Sequence, residues 1–212
     1  MGLEETQRLL ARLFTETALR QEFCADPEGV GATLGLDTEE ACRLAPLTAP
    51  IRDFAASLRH KRLLVVARLL PQTRQLLGPR FEALFLRYAL AGTPQGVEKH
   101  REDAIAFASF LLRSLPGESA LPWWWRDLLR YEQSWLQAEG RRLWTVRSFS
   151  VRVPALARLL ARSESLPETR AQPTLVLWYR RPRAGTLRLA VFSLPLLPRR
   201  LRDLRSGSAP LR

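Results

Sequence analysis

His60 and His100 are the only imidazoles among the 212 residues, and neither has a cysteine or second histidine at metal-ligand spacing. The densest titratable run is Glu98-Lys99-His100-Arg101-Glu102-Asp103. Glu98 and Glu102, four apart, can share one helical face, as ligating carboxylates do. A metal centre in a bundle needs a second carboxylate–histidine set to match, and the chain supplies none. Acids also suit the first turn of a helix, where the dipole favours negative charge, so the run reads as a solvated helix start. His60 lies in Arg59-His60-Lys61-Arg62, which reads as a solvated basic turn. A phosphate-cradling glycine loop, a nucleophile elbow and a Ser/His/Asp order are all missing from the sequence. Cys24 and Cys42 are 18 residues apart with no CxxC, so two buried free thiols in a reducing cytoplasm are expected rather than a disulfide. The expectation is a protein with no catalytic residues, no metal and no cofactor.

Charge points instead to binding. Residues 1–140 carry 17 basic and 18 acidic side chains, a net of −1, whereas residues 141–212 carry 16 basic and three acidic, a net of +13. All but two of the 33 basic residues are arginine. An arginine-rich composition would raise basic counts everywhere, but it does not by itself strip acids from one third of the chain. The asymmetry predicts two modules, the second facing an anion or an acidic partner. No run approaches the roughly 18 uncharged apolar residues of a membrane span, and the N-terminus does not read as a secretory signal, so a cytoplasmic protein is expected.

The elements that would position such a surface follow from periodicity. Residues 1–140 read as helix throughout: 3–14, then 17–34 interrupted at Asp26-Pro27, a restart at Asp37, a long helix 48–69 closed by Pro71, and further helices after Pro79, over 97–113 and over 122–138. From residue 143 the period becomes two. Strands are expected over 143–146, 149–153, 174–179 and 187–192, with a short helix from Pro154 to Ala161 and a last one over 198–204. The fold class is therefore α+β: an extra N-terminal helical segment 1–47, a helical bundle 48–140, and a small basic module 141–212 of strand, helix, β-hairpin and helix. The hairpin loop Arg180-Arg181-Pro182-Arg183-Ala184-Gly185 carries three arginines. With Trp178, Arg188, Arg199 and Arg200 they form the predicted peptide- or nucleic-acid-binding surface. Five of the six tryptophans lie between residues 123 and 144. Trp123, Trp124 and Trp125 are consecutive, and helical neighbours point about 100° apart, so at least one must leave the core, as a domain contact or a docking patch for a partner.

Three stretches also resemble a known family. These are Leu70-Pro-Gln-Thr-Arg-Gln-Leu-Leu-Gly-Pro-Arg-Phe-Glu-Ala-Leu-Phe85; Glu102-Asp103 through Phe107 to Phe110-Leu111; and Leu121-Pro122-Trp123 with Asp127 through Tyr131-Glu132. Together they resemble the HvfC/BufC-type DNA-binding domain proteins over residues 55 to 138, and the arrangement of 143–205 is similar to that family's second domain. The resemblance implies a non-catalytic partner of a multinuclear non-haem iron-dependent oxidative enzyme that modifies ribosomal peptides. In that picture the enzyme holds the metals and this chain captures the precursor peptide. Basic, partly exposed strands suit an acidic leader added at a sheet edge. The family label and the +13 module also keep nucleic-acid binding open, although no recognition helix with a base-reading set is evident. Residues 1–47 depart from the family pattern. Leu19 to Leu36 resembles the helical leaders of some peptide natural products, and an ordinary helical hairpin explains it equally well.

Overall fold

The computed structural model describes residues 3–90, 98–115, 120–140, 144–162, 164, 169–180 and 185–193. The chain is α+β and divides into two compact units, residues 1–116 and 117–212.

The first unit is helical. α1 (Leu3–Thr15), α2 (Thr17–Ala25), α3 (Pro27–Thr33) and α4 (Thr38–Leu44) lead through a 3-10 turn, Ala45–Leu47, into the long α5 (Thr48–Leu69). α6 (Pro71–Leu77), α7 (Arg80–Ala89) and α8 (Lys99–Ser114) follow. The breaks occur where the side chains demand them. Asp26 accepts the Gly29 N–H at 2.9 Å, capping α3 while Pro27 fills its first turn. Asp37 and Glu40 form a reciprocal capping box at the start of α4, with bonds of 2.7 and 3.1 Å. Gly78 ends α6 at φ +55°, ψ −134°, a region open in practice only to glycine. At Gly31 the backbones of α3 and α4 approach closely, and a Cβ there would lie 3.0 Å from that of Ala41.

The segment 1–47 is built into this unit. Leu9, Leu13, Phe23, Leu36 and Leu44 form one core with Ile51 of α5, and the Phe14 and Phe54 rings sit 4.5 Å apart. A second core lies among α5, α7 and α8, where Phe81, Phe85, Tyr88, Phe107 and Phe110 pack with neighbouring centroids 5.2–6.2 Å apart. The two polar runs read from the sequence as solvated are only partly so. Asp103 is fully buried, and Arg62 reaches it from α5 through a bidentate pair, Nε to Oδ2 and Nη2 to Oδ1, both 3.0 Å. Tyr88 donates to the same Oδ1 at 2.9 Å. Cys24 is half-buried and Cys42 exposed, so neither is the buried thiol expected.

The second unit packs α9 (Trp125–Glu139) and α10 (Val153–Ala161) with an antiparallel sheet in the order β1 (Trp144–Phe149), β2 (Thr174–Arg180), β3 (Leu187–Ser193). α9 lies against β1 and β2, so the last helix of the sequence-defined bundle shares a core with the sheet. Tyr131 and Trp135 of α9 meet Phe149 and Trp178 of the sheet with centroids 5.6–6.4 Å apart. Where two strands were expected, over 143–146 and 149–153, one strand runs from Trp144 to Phe149 and none follows it before α10. The Asp127 carboxylate of α9 accepts the Ser150 N–H at 2.5 Å, and helix begins at Val153 with Pro154 in its first turn. The final helix expected over 198–204 lies outside the described residues.

Candidate functional site

The sheet of the second unit has two unlike faces. Inward, Thr145, Phe149, Thr174, Val176 and Trp178 are buried. Outward, the register stacks three cross-strand rows: Trp144–Tyr179–Arg188, Val146–Leu177–Ala190 and Ser148–Leu175–Phe192. An ordinary solvent face would be polar. Here Trp144 is 68 % exposed, Phe192 53 % and Leu175 37 %, and Arg188 is the only charged residue of the three rows. A continuous apolar patch rimmed by a cation is unusual on a free surface. Among the described residues β3 pairs on one side only, with β2, so its other edge presents unpaired backbone groups.

The predicted contact residues scatter under this geometry. Trp178 is fully buried, in the aromatic core rather than on the surface, and its indole N–H has no hydrogen-bond partner among the described residues. Arg180 is spent on the scaffold. Its guanidinium donates to the Glu139 carbonyl at 2.8 Å, the Ala138 carbonyl at 3.3 Å and the Gly185 carbonyl at 2.7 Å. It thereby closes the C-terminal end of α9, where carbonyls lack helical partners and the dipole favours a cation, onto the sheet. Arg188 stays exposed at the patch. Arg181, Arg183, Arg199 and Arg200 lie outside the described residues. Of the tryptophan triplet, Trp124 and Trp125 are buried and Trp123 is 54 % exposed; helix begins only at Trp125, so Trp123 leaves the core from the turn ahead of α9 rather than by the 100° helical step expected from the sequence. Docking by this triplet therefore rests on Trp123.

Sequence reasoning missed the outward row members Trp144, Leu175 and Phe192. Their signal was present. β2 and β3 read as apolar at both alternations, a pattern proper to strands covered on two sides, whereas among the described residues α9 packs on one face of the sheet.

The polar groups offer little for a metal. Glu98 is ion-paired with Arg101, Asp103 is held by Arg62, and among the described residues no group of three His, Cys, Asp or Glu side chains converges. His60 and Glu82 line a groove of ≈640 Å³ between α5, α6 and α7, with Leu64 and Phe81 on its wall. No helix of the described residues is long and apolar enough to cross a membrane.

A comparison with curated proteins finds no match for the chain. Residues 48–113, spanning α5 to α8, are similar to the family described as SCO6045-like, C-terminal domain.

Proposed function

We propose that the protein is a non-catalytic adaptor that binds a precursor peptide, through the outer face and free edge of its C-terminal sheet, and delivers it to a partner iron-dependent oxidative enzyme. The observation that carries this reading is the exposed apolar face of Trp144, Leu175 and Phe192 beside Arg188. An extended peptide laid along β3 gains backbone hydrogen bonds from the edge. Its alternate side chains meet the apolar rows, and acidic residues find Arg188 and the excess positive charge of residues 141–212. The iron-enzyme half rests on the resemblance of residues 70–85, 102–111 and 121–132 to the HvfC/BufC-type proteins. On this reading the partner carries the metals.

The test is a titration of the whole chain with a synthetic peptide of alternating Glu and Val, at 50 and 200 mM salt, with a short DNA duplex as competitor. Phe192→Ser with Trp144→Ser is expected to weaken the peptide by about tenfold, since two anchors of an interface typically carry that much or more. The melting temperature stays within a degree or two, because both side chains already face water. Peptide affinity indifferent to both changes sinks the sheet assignment. Duplex binding that survives 200 mM salt and ignores the peptide would falsify the adaptor reading in favour of a DNA-binding protein.

A further inference from the structure

A cleft of ≈590 Å³ opens between α2, α5 and α7 in the N-terminal unit, and the charge pattern of this unit leaves it uncompensated. Thr17, Arg20, Gln21 and Cys24 lie three, four and seven residues along α2 and so share one face. Arg52 and Arg59, two turns apart on α5, form the facing wall, and Arg87 comes from α7 between Leu86 and Leu90. No carboxylate among the described residues lines the cleft. An adjoining hollow shares Thr17, Arg20 and Arg59 and adds Lys99.

This is not a by-product of a basic unit, since residues 1–116 carry 15 basic and 14 acidic side chains. Five of the acids are ion-paired outside the cleft: Glu4 with Arg8, Glu16 with Arg12, Glu39 with Arg43, Glu98 with Arg101, and Asp103 with Arg62. Arg52, Arg59 and Arg87 have no acidic partner among the described residues. Residues 91–97, Ala-Gly-Thr-Pro-Gln-Gly-Val, contain no charged side chain at all. Arg20 is pinned in the floor by bonds to the Leu13 carbonyl (2.9 Å), the Phe14 carbonyl (3.3 Å) and the Thr17 hydroxyl (3.1 Å). Burial lowers its pKa, and the neighbouring Arg59 charge lowers it further. Like charges gathered in a recess repel, and an anion in the recess relieves that repulsion.

We propose that this cleft binds a small, multiply charged oxyanion, whose oxygens are held by Arg52, Arg59 and Arg87 and whose apolar part rests on the exposed Leu86 and Leu90. The guanidinium fork matches phosphate and carboxylate oxygens alike, so a phosphoryl compound and a polycarboxylate are the two sources of this chemistry. The site is built from residues of the first unit alone and does not depend on the peptide reading.

Calorimetric titration of the full chain with pyrophosphate and, separately, with citrate, in chloride buffer at matched ionic strength, tests it. Saturable one-to-one binding of at least one probe is expected, and the probe that binds more tightly identifies the source. Arg52→Gln with Arg87→Gln should weaken binding at least about tenfold, the equivalent of roughly one charge-assisted hydrogen bond. Arg68→Gln with Arg113→Gln removes the same charge from exposed positions outside the cleft and should leave affinity within about twofold. The bound probe should also slow alkylation of Cys24 in the cleft wall while leaving exposed Cys42 unchanged. The proposal is overturned by the absence of saturable binding up to about 10 mM of either probe, a concentration well above any specific affinity of use to a cell. Equal losses in the two double variants, or an unprotected Cys24, overturn it as well.

Discussion

Asp103 draws three helices of the N-terminal unit together. Its carboxylate takes both arms of Arg62 and the Tyr88 hydroxyl, and the Arg62 guanidinium also lies 5.7 Å from the centre of the Phe85 ring. Such a pair need not contribute more than a well-packed apolar replacement would, because both charges lose their water. Breaking it is another matter. Arg62→Met leaves Asp103 charged and buried and is expected to cost about 3–5 kcal/mol in urea unfolding. Arg101→Met, which removes the half-buried partner of exposed Glu98, should cost less than about 1 kcal/mol. If the two variants unfold at the same urea concentration, Asp103 is not held by Arg62 in solution. From sequence, Asp103 was indistinguishable from its solvated neighbours Glu98 and Glu102. One helical position separates a residue facing water from one facing α5, and only packing decides which side the partner is on.

At the scale of elements, Arg180 and Arg188 show how neighbouring positions of one hairpin divide the labour. Both were legible as basic residues beside a turn. The fate of Arg180 depended on where α9 ends, forty residues earlier, because its guanidinium satisfies the carbonyls of Ala138 and Glu139. Arg180→Ala is expected to lower the melting temperature by several degrees, from the loss of about 1–2 kcal/mol in bonds to helix-end carbonyls. Arg188→Ala should leave it unchanged while weakening an acidic peptide. Equal stability of the two variants would show that the helix-end contact contributes nothing. The caps, by contrast, were readable in advance. Asp26, Pro27, Asp37 and Glu40 act within four residues of chain, so a local rule suffices. The strands expected over 143–146 and 149–153 are one strand that ends at Phe149, after which Asp127 of a separate helix takes the Ser150 N–H, a competitor that a strand pattern cannot reveal.

Across the whole molecule, each unit holds a phenol that resists ionisation, the half-buried Tyr88 and the buried Tyr131. Burial pushes the Tyr88 pKa well above its ordinary value, and its bond to Asp103 and the Asp103 charge push it further; burial likewise raises Tyr131. In the unfolded chain both phenols ionise near pH ~10. Because the folded pKa values are the higher ones, the stabilisation is fully present below about pH 10 and is lost as pH rises towards them. Urea midpoints are therefore expected to stay flat from neutral pH to about 9.5 and then fall, and Tyr88→Phe should flatten that decline. A midpoint that holds steady through pH 11 would place both phenols in contact with water.

The sequence alone determined the fold class, most of the helix starts and stops and the concentration of charge in residues 141–212, since periodicity, capping and composition are local or additive properties. It also foretold that at least one of Trp123, Trp124 and Trp125 would leave the core, as a domain contact or a docking patch, although Trp123 does so from a turn and not by the helical step. Tertiary structure alone decided which arginines are free. Arg62 and Arg180 are consumed by a buried carboxylate and a helix end, while Arg52, Arg59 and Arg87, unremarkable in a nearly neutral stretch, face one acid-free recess. Whether a cation is available depends on which partner lies within a few ångströms, and residues that close in space are here up to seventy positions apart in the chain.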